Sequence, residues 1–315
     1  MKTMARTSVS IVMPAADAAG SIVDSLRAVL AQDYPDIVDI VVAAADDATA
    51  DAAARAEVTV IPNPSGSTPA GLNRAISASR GDVIVRVDAH SIIPPDYVSR
   101  AVRTLEETDA ENVGGMQVPV GTSFWERAVA AAMSSPAGSG DARYRIGGPA
   151  GPVDTVYLGV FRRSVLEDIG AFDETFRRHQ DFELNQRIRT AGGVVWFDPE
   201  LRVEYRPRAS LSELARQYFG YGVWKRSFSR THPGSLQLRQ LAPPILVIAV
   251  TASLGLSLVS PWFLLIPGGY SVGLIAAGVV SVPKAGVAAV GVPAALATMH
   301  FSWGLGFLIG QTRDS

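Results

Sequence analysis

Apolar residues in the first two hundred positions come in short runs, and the period of the pattern switches repeatedly between strand and helix. Val9–Met13 is a run stopping at Pro14, and Ile22, Leu26, Val29 and Leu30 then recur on one helical face behind Ser21, a residue suited to an N-cap. Ile40–Val42 predicts a second strand that runs into the acidic stretch AAADDATAD, and an alanine-rich helix from about Asp51 leads to a third strand at Val58–Ile61. Thr68-Pro69 opens another helix, with Leu72, Ala75 and Ile76 inward and Arg80-Gly81 at its end. That helix delivers the chain to the β-branched run Val83–Val87, which Asp88-Ala89-His90 follows at once. Alternation of this kind implies βαβ units, a parallel sheet and a nucleotide-binding type of half-domain.

The pattern continues with a helix over Tyr97–Leu105, strands at Val113–Val118 and Thr155–Leu158, a helix from Ser164 to Gly170, and one from His179 to Gly192. Residues 134–152 interrupt it with Gly, Pro and Ser around Arg143, Tyr144 and Arg145, which predicts a mobile lid over a plain connector. Asp181 and Glu183 sit in a first helical turn, where the helix dipole favours carboxylates whatever their function.

Beyond residue 200 the character changes. Arg202, Arg206, Arg208, Arg216, Lys225, Arg226, Arg230 and Arg239 face only Glu204 and Glu213, while Leu211, Leu214, Tyr218 and Phe219 fall at helical spacing. A basic, aromatic amphipathic helix ahead of apolar spans predicts an interfacial element on an anionic leaflet, and ordinary packing on a domain is compatible with it. Pro243–Pro283 then carries no charge, and Ala285–Thr312 carries only His300 as a titratable group. A bilayer core of about 30 Å needs roughly 20 apolar helical residues, so three spans are expected, with two as the alternative. The basic cluster before the first span keeps the soluble part cytosolic by the positive-inside rule. The chain is therefore expected to be a multi-pass protein of the inner or plasma membrane. Its expected divisions are a catalytic domain over 1–210, an interfacial region over 211–240 and a membrane region over 241–315.

Composition adds bounds. A net charge of −2 over 315 residues gives no reason to expect nucleic-acid binding, and the absence of cysteine excludes disulfides, thiolate metal sites and cysteine nucleophiles. The N-terminal apolar run is too short for a signal-peptide core.

Ligands of open α/β sheets bind at the C-terminal ends of strands, so Asp88 and His90 suggest a metal-assisted site. An Asp-containing turn that caps the strand explains the same two residues without any function. What separates the two readings is the rest of the chain. Ile11–Pro14, the run TPAGLNRAISASRGDVIVRVDAHSIIPPDYV from Thr68, the run VYLGVFRRSVLEDIGAFDETFRRHQDFELNQRIRTAG from Val156, QYFGYGVWKR from Gln217 and MHFSWGLGF from Met299 occur in that order. Together they resemble the inverting family 2 glycosyltransferases, and within them the membrane-attached branch similar to succinoglycan-type enzymes of exopolysaccharide assembly.

The resemblance implies a GT-A fold: a mixed, mostly parallel sheet flanked by helices, followed here by C-terminal transmembrane helices. It implies a nucleotide-sugar donor, UDP-linked by analogy, a polyprenyl-linked or glycan acceptor, and a divalent cation, Mn²⁺ or Mg²⁺. Asp88 matches the family's first metal-site aspartate and His90 stands where a second aspartate is usual, which makes Mn²⁺ at least as fitting as Mg²⁺. Asp181 matches the catalytic base, preceded by Gln180 where the family usually has Glu. Pro14 and Ala15 fit the base-recognition loop, Asp46 or Asp47 the aspartate after the second strand, and Asn73, with Arg74 beside it, the donor side. Gln217, Trp224, Lys225 and Arg226 are a loose counterpart of an acceptor or pyrophosphate element near the membrane. The competing expectations are a polyprenyl-phosphate sugar synthase and a non-catalytic membrane scaffold of the same fold.

Overall fold

A computed structural model describes residues 6–311. The chain divides into two compact units, one of Met1–Val118 with Gly147–Tyr205, the other of Pro119–Ile146 with Arg206–Ser315.

The first unit is built on one sheet. β1 (Val9–Ala15), β2 (Ile37–Ala44), β3 (Thr59–Pro62) and β4 (Val83–Arg86) are parallel, in the order β3-β2-β1-β4, and their β-branched runs read as continuous because both faces are covered. The helices α1 (Ile22–Leu30), α2 (Asp47–Ala53), α3 (Thr68–Ala78) and α4 (Tyr97–Thr108) make the crossovers. α1 turns Ile22, Leu26 and Val29 into the core, as its spacing predicts, whereas Leu30, expected on the same face, is 49% exposed, and Ser67 caps α3 through its hydroxyl. α2 begins at Asp47, four residues earlier than the alanine pattern suggests, because Asp46 accepts the Thr49 amide as an N-cap.

Past β4 the sheet becomes mixed. Its order continues through β7 (Tyr157–Arg162), β5 (Asn112–Pro119), β8 (Val195–Tyr205) and β6 (Gly151–Pro152), with β7 antiparallel to both β4 and β5. α8 (Arg163–Ile169) and α9 (Gln180–Thr190) follow β7. The core gathers Val9, Ile11, Met13, Val42, Val85, Tyr97, Val160 and Val203, each fully buried. Burial of one such aliphatic side chain contributes about 1.5–3 kcal/mol.

The second unit is helical. α5 (Phe124–Met133) opens with a reciprocal cap between Ser123 and Glu126, and two single-turn helices follow, α6 (Pro136–Ser139) and α7 (Arg143–Ile146). Within this unit, 134–146 of the stretch 134–152 expected to be a mobile lid forms two short helices tied down by side-chain bonds. Ser135 caps α6, Arg145 donates to the Tyr218 hydroxyl at 2.9 Å, and Asp141 pairs with Arg239. Small residues here serve close packing, which composition alone does not distinguish from flexibility.

The unit continues with α10 (Leu211–Thr231), α11 (Leu238–Leu256), a 3₁₀ turn at Pro261–Leu264 leading into α12 (Leu265–Val280), the short α13 (Val282–Ala285), a second 3₁₀ segment (Gly286–Gly291) and α14 (Val292–Ile309). Three of these segments, Leu238–Leu256, Pro261–Val280 and Val282–Ile309, are long and apolar enough to cross a membrane.

Candidate active site

The parallel half of the sheet brings several sequence-identified residues to one edge. Pro14 and Ala15 end β1 beside Ala43 and Ala44 of β2, and Val87, directly after β4, donates its amide to Val12 of β1 at 3.0 Å. The loops leaving this edge are tied to each other. Asp17 donates its amide to Asp46 Oδ2 at 2.9 Å, Ala18 donates to Thr49 Oγ1 at 3.0 Å, and the Ser21 hydroxyl donates to the Ala89 carbonyl at 3.0 Å.

At the end of β4 stands a residue that sequence matching does not single out. Arg86 is 5% exposed, donates from Nε to Asp88 Oδ1 at 2.9 Å, and pairs through Nη1 with Asp181 Oδ1. One guanidinium thus bridges Asp88 of the Asp-x-His element and Asp181, ninety-odd positions apart in sequence. The signal for it was present. An arginine inside a four-residue buried strand needs partners, and in extended backbone it shares a side with the residue two positions on, which is Asp88.

Asp181 is held in the first turn of α9 by an unusual lead-in. His179, the N-cap, has φ 64°, a left-handed conformation that costs a non-glycine residue roughly 1 kcal/mol, and its carbonyl accepts the Glu183 amide at 2.9 Å. The Asp181 side chain is 42% exposed, against 16% for Asp88. Desolvation raises the Asp181 carboxyl above the usual carboxylate range, Arg86 opposes the rise, and Asp88 adds to it. A carboxylate raised in this way is suited to accept a proton. Glu183 is occupied elsewhere, with both oxygens on Arg187 at 2.7 and 2.8 Å.

His90 is exposed and lies edge-on to Tyr205, ring centroids 6.3 Å apart. Among the described residues no group of three or more His, Asp or Glu gathers as a metal cluster. The chain therefore offers a divalent cation two donors in sequence proximity, a carboxylate and an imidazole, one oxygen of the former already held by Arg86. That set fits a cation whose remaining ligands come from a bound diphosphate.

The other sequence-matched residues have structural duties. Asp46 accepts from Asp17 and Thr49, and these bonds hold its carboxyl below the usual range. Asp47 is exposed beside it. Asn73 ties α3 to the segment before α9, donating to the Phe172 carbonyl at 2.8 Å and accepting the Phe172 amide at 2.9 Å, and Arg74 donates to the Pro62 carbonyl at 2.8 Å. In the second unit Gln217 donates to the Tyr221 hydroxyl at 2.9 Å, Trp224 is half-buried, Lys225 is buried over the Phe228 ring, and Arg226 donates to the Leu308 carbonyl at 2.7 Å.

A mixed, mostly parallel sheet of this order, flanked by helices, is a GT-A fold. Solved structures share the fold: a mannosyltransferase from Pyrobaculum calidifontis, determined in complex with GDP-Man and Mn²⁺, aligns with a TM-score of 0.58 at 19% identity over 95% of this chain and 88% of that one. TarS of S. aureus aligns with a TM-score of 0.51 at 16% identity, over 76% of this chain and 47% of that one. Residues 10–170 match the family model described as Glycosyl transferase family 2. The succinoglycan biosynthesis protein ExoA of Rhizobium meliloti (strain 1021) is 30% identical over 261 residues, spanning 79% of this chain and 76% of that protein. The chain belongs to glycosyl transferase family 2.

Proposed function

We propose that this chain transfers a sugar, with inversion, from a nucleotide-diphospho-sugar to a hydroxyl of a polyprenyl-linked or glycan acceptor at the cytosolic membrane face, in exopolysaccharide synthesis. The observation that carries this reading is the Arg86 bridge, which holds Asp181 beside Asp88 at the sheet edge where α/β folds bind ligands. Asp181 takes the proton of the acceptor hydroxyl as that oxygen bonds to the anomeric carbon, and the bond from that carbon to the diphosphate breaks. Asp88 and His90 would hold a divalent cation, Mn²⁺ in preference to Mg²⁺, which supplies charge stabilisation to the departing diphosphate. Arg86 keeps the base oriented and keeps two neighbouring carboxylates compatible. Pro14, Ala15, Asp46 and Asp47 would shape the nucleoside end, and Asn73 would act on it indirectly through the segment leading to α9. Trp224 and Arg226 would serve the acceptor side, whereas Gln217 and Lys225 are buried within the second unit.

The resemblance to ExoA supports a glycan pathway, and the mannosyltransferase's ligands support a nucleotide-sugar with Mn²⁺ as the pair to try first. The test uses membranes carrying the full chain, supplied with UDP- or GDP-linked sugars and Mn²⁺, with and without a polyprenyl-diphosphate-linked sugar. Acceptor-dependent nucleotide release that vanishes in Asp181→Asn is expected. No binding of any nucleotide would sink the transferase reading. Release onto polyprenyl phosphate that survives Asp181→Asn would favour a polyprenyl-phosphate sugar synthase, whose phosphate acceptor needs no deprotonation.

A further inference from the structure

Three segments of the second unit are apolar enough to cross a bilayer, but their surroundings differ. α12 buries only Gly278, and the connection between α11 and α12 is exposed, with Leu258 at 91% and Val259 at 84%. α14 buries Val292, Ala295, Leu296, Met299, Gly304 and Gly306. α14 is covered by α5, α6 and α10, and it also touches α11, where Gly304 faces Pro243 and Val247, and α12, where the Tyr270 hydroxyl lies 3.0 Å from His300 Nδ1.

α10 lies along it. A side chain at Gly222 would meet the Trp303 carbonyl, one at Gly306 would meet the Phe219 carbonyl, and one at Gly310 would meet Val223, so the positions 219 and 223 of α10 match 306 and 310 of α14. The two helices run side by side in the same direction. α10 carries Glu213, Arg216, Lys225, Arg226 and Arg230, and its longest charge-free stretch is Gln217–Trp224. At 1.5 Å per residue those positions cover about 12 Å, against a hydrocarbon core of about 30 Å. α10 cannot sit at bilayer depth without immersing several charges, and α14 runs with it.

Both ends of α14 are anchored to charged elements. Before its start, Arg127 of α5 donates to the Ala285 carbonyl at 3.0 Å, and Gly291 rests on Phe124 and Ala128 of the same helix. In its middle, His300 Nε2 lies 2.8 Å from the Ala137 carbonyl of α6. At its end, Arg226 donates to the carbonyls of Leu308 at 2.7 Å and Gly310 at 3.2 Å. A crossing α14 would put Arg127 and Arg226 on opposite sides of the bilayer while α10 follows it through.

We propose that α14 does not cross: α11 and α12 alone enter the hydrocarbon, as a hairpin, and the end of α14 stays on the side occupied by α5 and α10. The occupant of the exposed α11 and α12 surface is lipid acyl chain, which the uncharged, outward Leu258, Val259, Leu265 and Val272 fit. This inference does not depend on the transferase reading.

The wild-type chain has no cysteine, so single thiols report without background. Ala209→Cys marks the start of α10, Val287→Cys the approach to α14, Gln311→Cys its end and Val259→Cys the hairpin connection, all at exposed positions. Each full-length variant is treated with a membrane-impermeant maleimide in intact cells and in inverted vesicles. Expected is modification of Ala209→Cys, Val287→Cys and Gln311→Cys from one and the same side, with Val259→Cys protected from that side. A protease-cleavable tag after Ser315, read in the same vesicles, decides the side of the C-terminus if the Gln311→Cys thiol is shielded. Modification of Gln311→Cys, or cleavage of the tag, from the side opposite Ala209→Cys overturns the proposal, and so does modification of Val259→Cys from the same side as Ala209→Cys.

Discussion

Arg86→Met removes the one cation that two carboxylates share and keeps most of the side-chain volume. Breaking a buried ion pair by deleting one member costs about 3–5 kcal/mol, because the remaining charge is left unpaired. Asp88, with 16% of its side chain exposed, bears most of that cost. Asp181 is 42% exposed, so water screens it and its share is at most about 1 kcal/mol. A loss of about 3 kcal/mol for the first unit is therefore expected, read by chemical denaturation of the full chain in detergent, with hydrogen exchange in β4 and α9 to localise it. The deficit should depend on pH. Asp181 already has a raised carboxyl pKa in the fold, so the folded state binds its proton more tightly than the unfolded chain does. Such a group costs nothing below its unfolded pKa of about 3.9, and its cost grows as pH rises until the folded pKa is passed. Deleting Arg86, which opposes the shift, enlarges that cost, so the variant should be less impaired near pH 5 than near pH 8. Turnover should fall about 100-fold through misorientation of the base. Arg86→Lys should recover only part of both losses, since one ammonium cannot reproduce a forked bridge. Arg86→Met within about 0.5 kcal/mol of wild type at both pH values, with unchanged turnover, would refute the bridge as a working element.

Asp181→Asn should lower turnover by about 10²–10⁴ while costing at most about 1 kcal/mol of stability near neutral pH, since the Asp181 side chain is 42% exposed and Arg86 keeps Asp88; activity and denaturation on one preparation check both parts. His90→Asp exchanges imidazole for a hard oxygen ligand and should move cation preference toward Mg²⁺, measured by nucleotide binding with each metal; an unchanged preference removes His90 from the metal site. Glu126 accepts from the Thr122 and Ser123 amides, the Thr122 hydroxyl and Arg206, which hold its carboxyl far below the usual range. Its contribution is thus complete above the unfolded value of about 4.3 and is lost only as pH falls through the lower folded one. Glu126→Gln should destabilise the second unit by about 2 kcal/mol near neutral pH, with faster hydrogen exchange in α5 as the readout.

Much of the first unit was legible because its local signals agree with its burial. The runs at Val9, Ile40, Val58 and Val83 are β-branched and bounded by turn residues, so period and propensity gave the same answer as packing. β8 was missed because Asp198, Pro199 and Glu200 interrupt it; Asp198 is satisfied by Arg100 and Thr104 of α4, a long-range partnership that no window on the sequence contains. Asp88 and Asp181 could be matched by motif, whereas their connection could not, since it needs the fold to bring α9 to the end of β4. The second unit was least legible. Hydropathy sees three similar apolar segments, and only packing distinguishes α12, which faces outward nearly all round, from α14, which packs against α5, α6, α10, α11 and α12.

The scaffold alternative keeps the fold without the chemistry, and the energetics at β4 weigh against it. A buried arginine with two carboxylates is seldom a stability device, because apolar residues of like volume are often neutral or better by about 1–4 kcal/mol. The left-handed His179 that opens α9 adds a further local cost, and it lies two residues before the same carboxylate. Two unfavourable features converge on Asp181, while Glu183, two residues on, is satisfied by Arg187 in an ordinary way. Cost concentrated on one side chain is what selection for positioning a reactive group produces, and a fold retained only as a membrane anchor would have no cause to keep it.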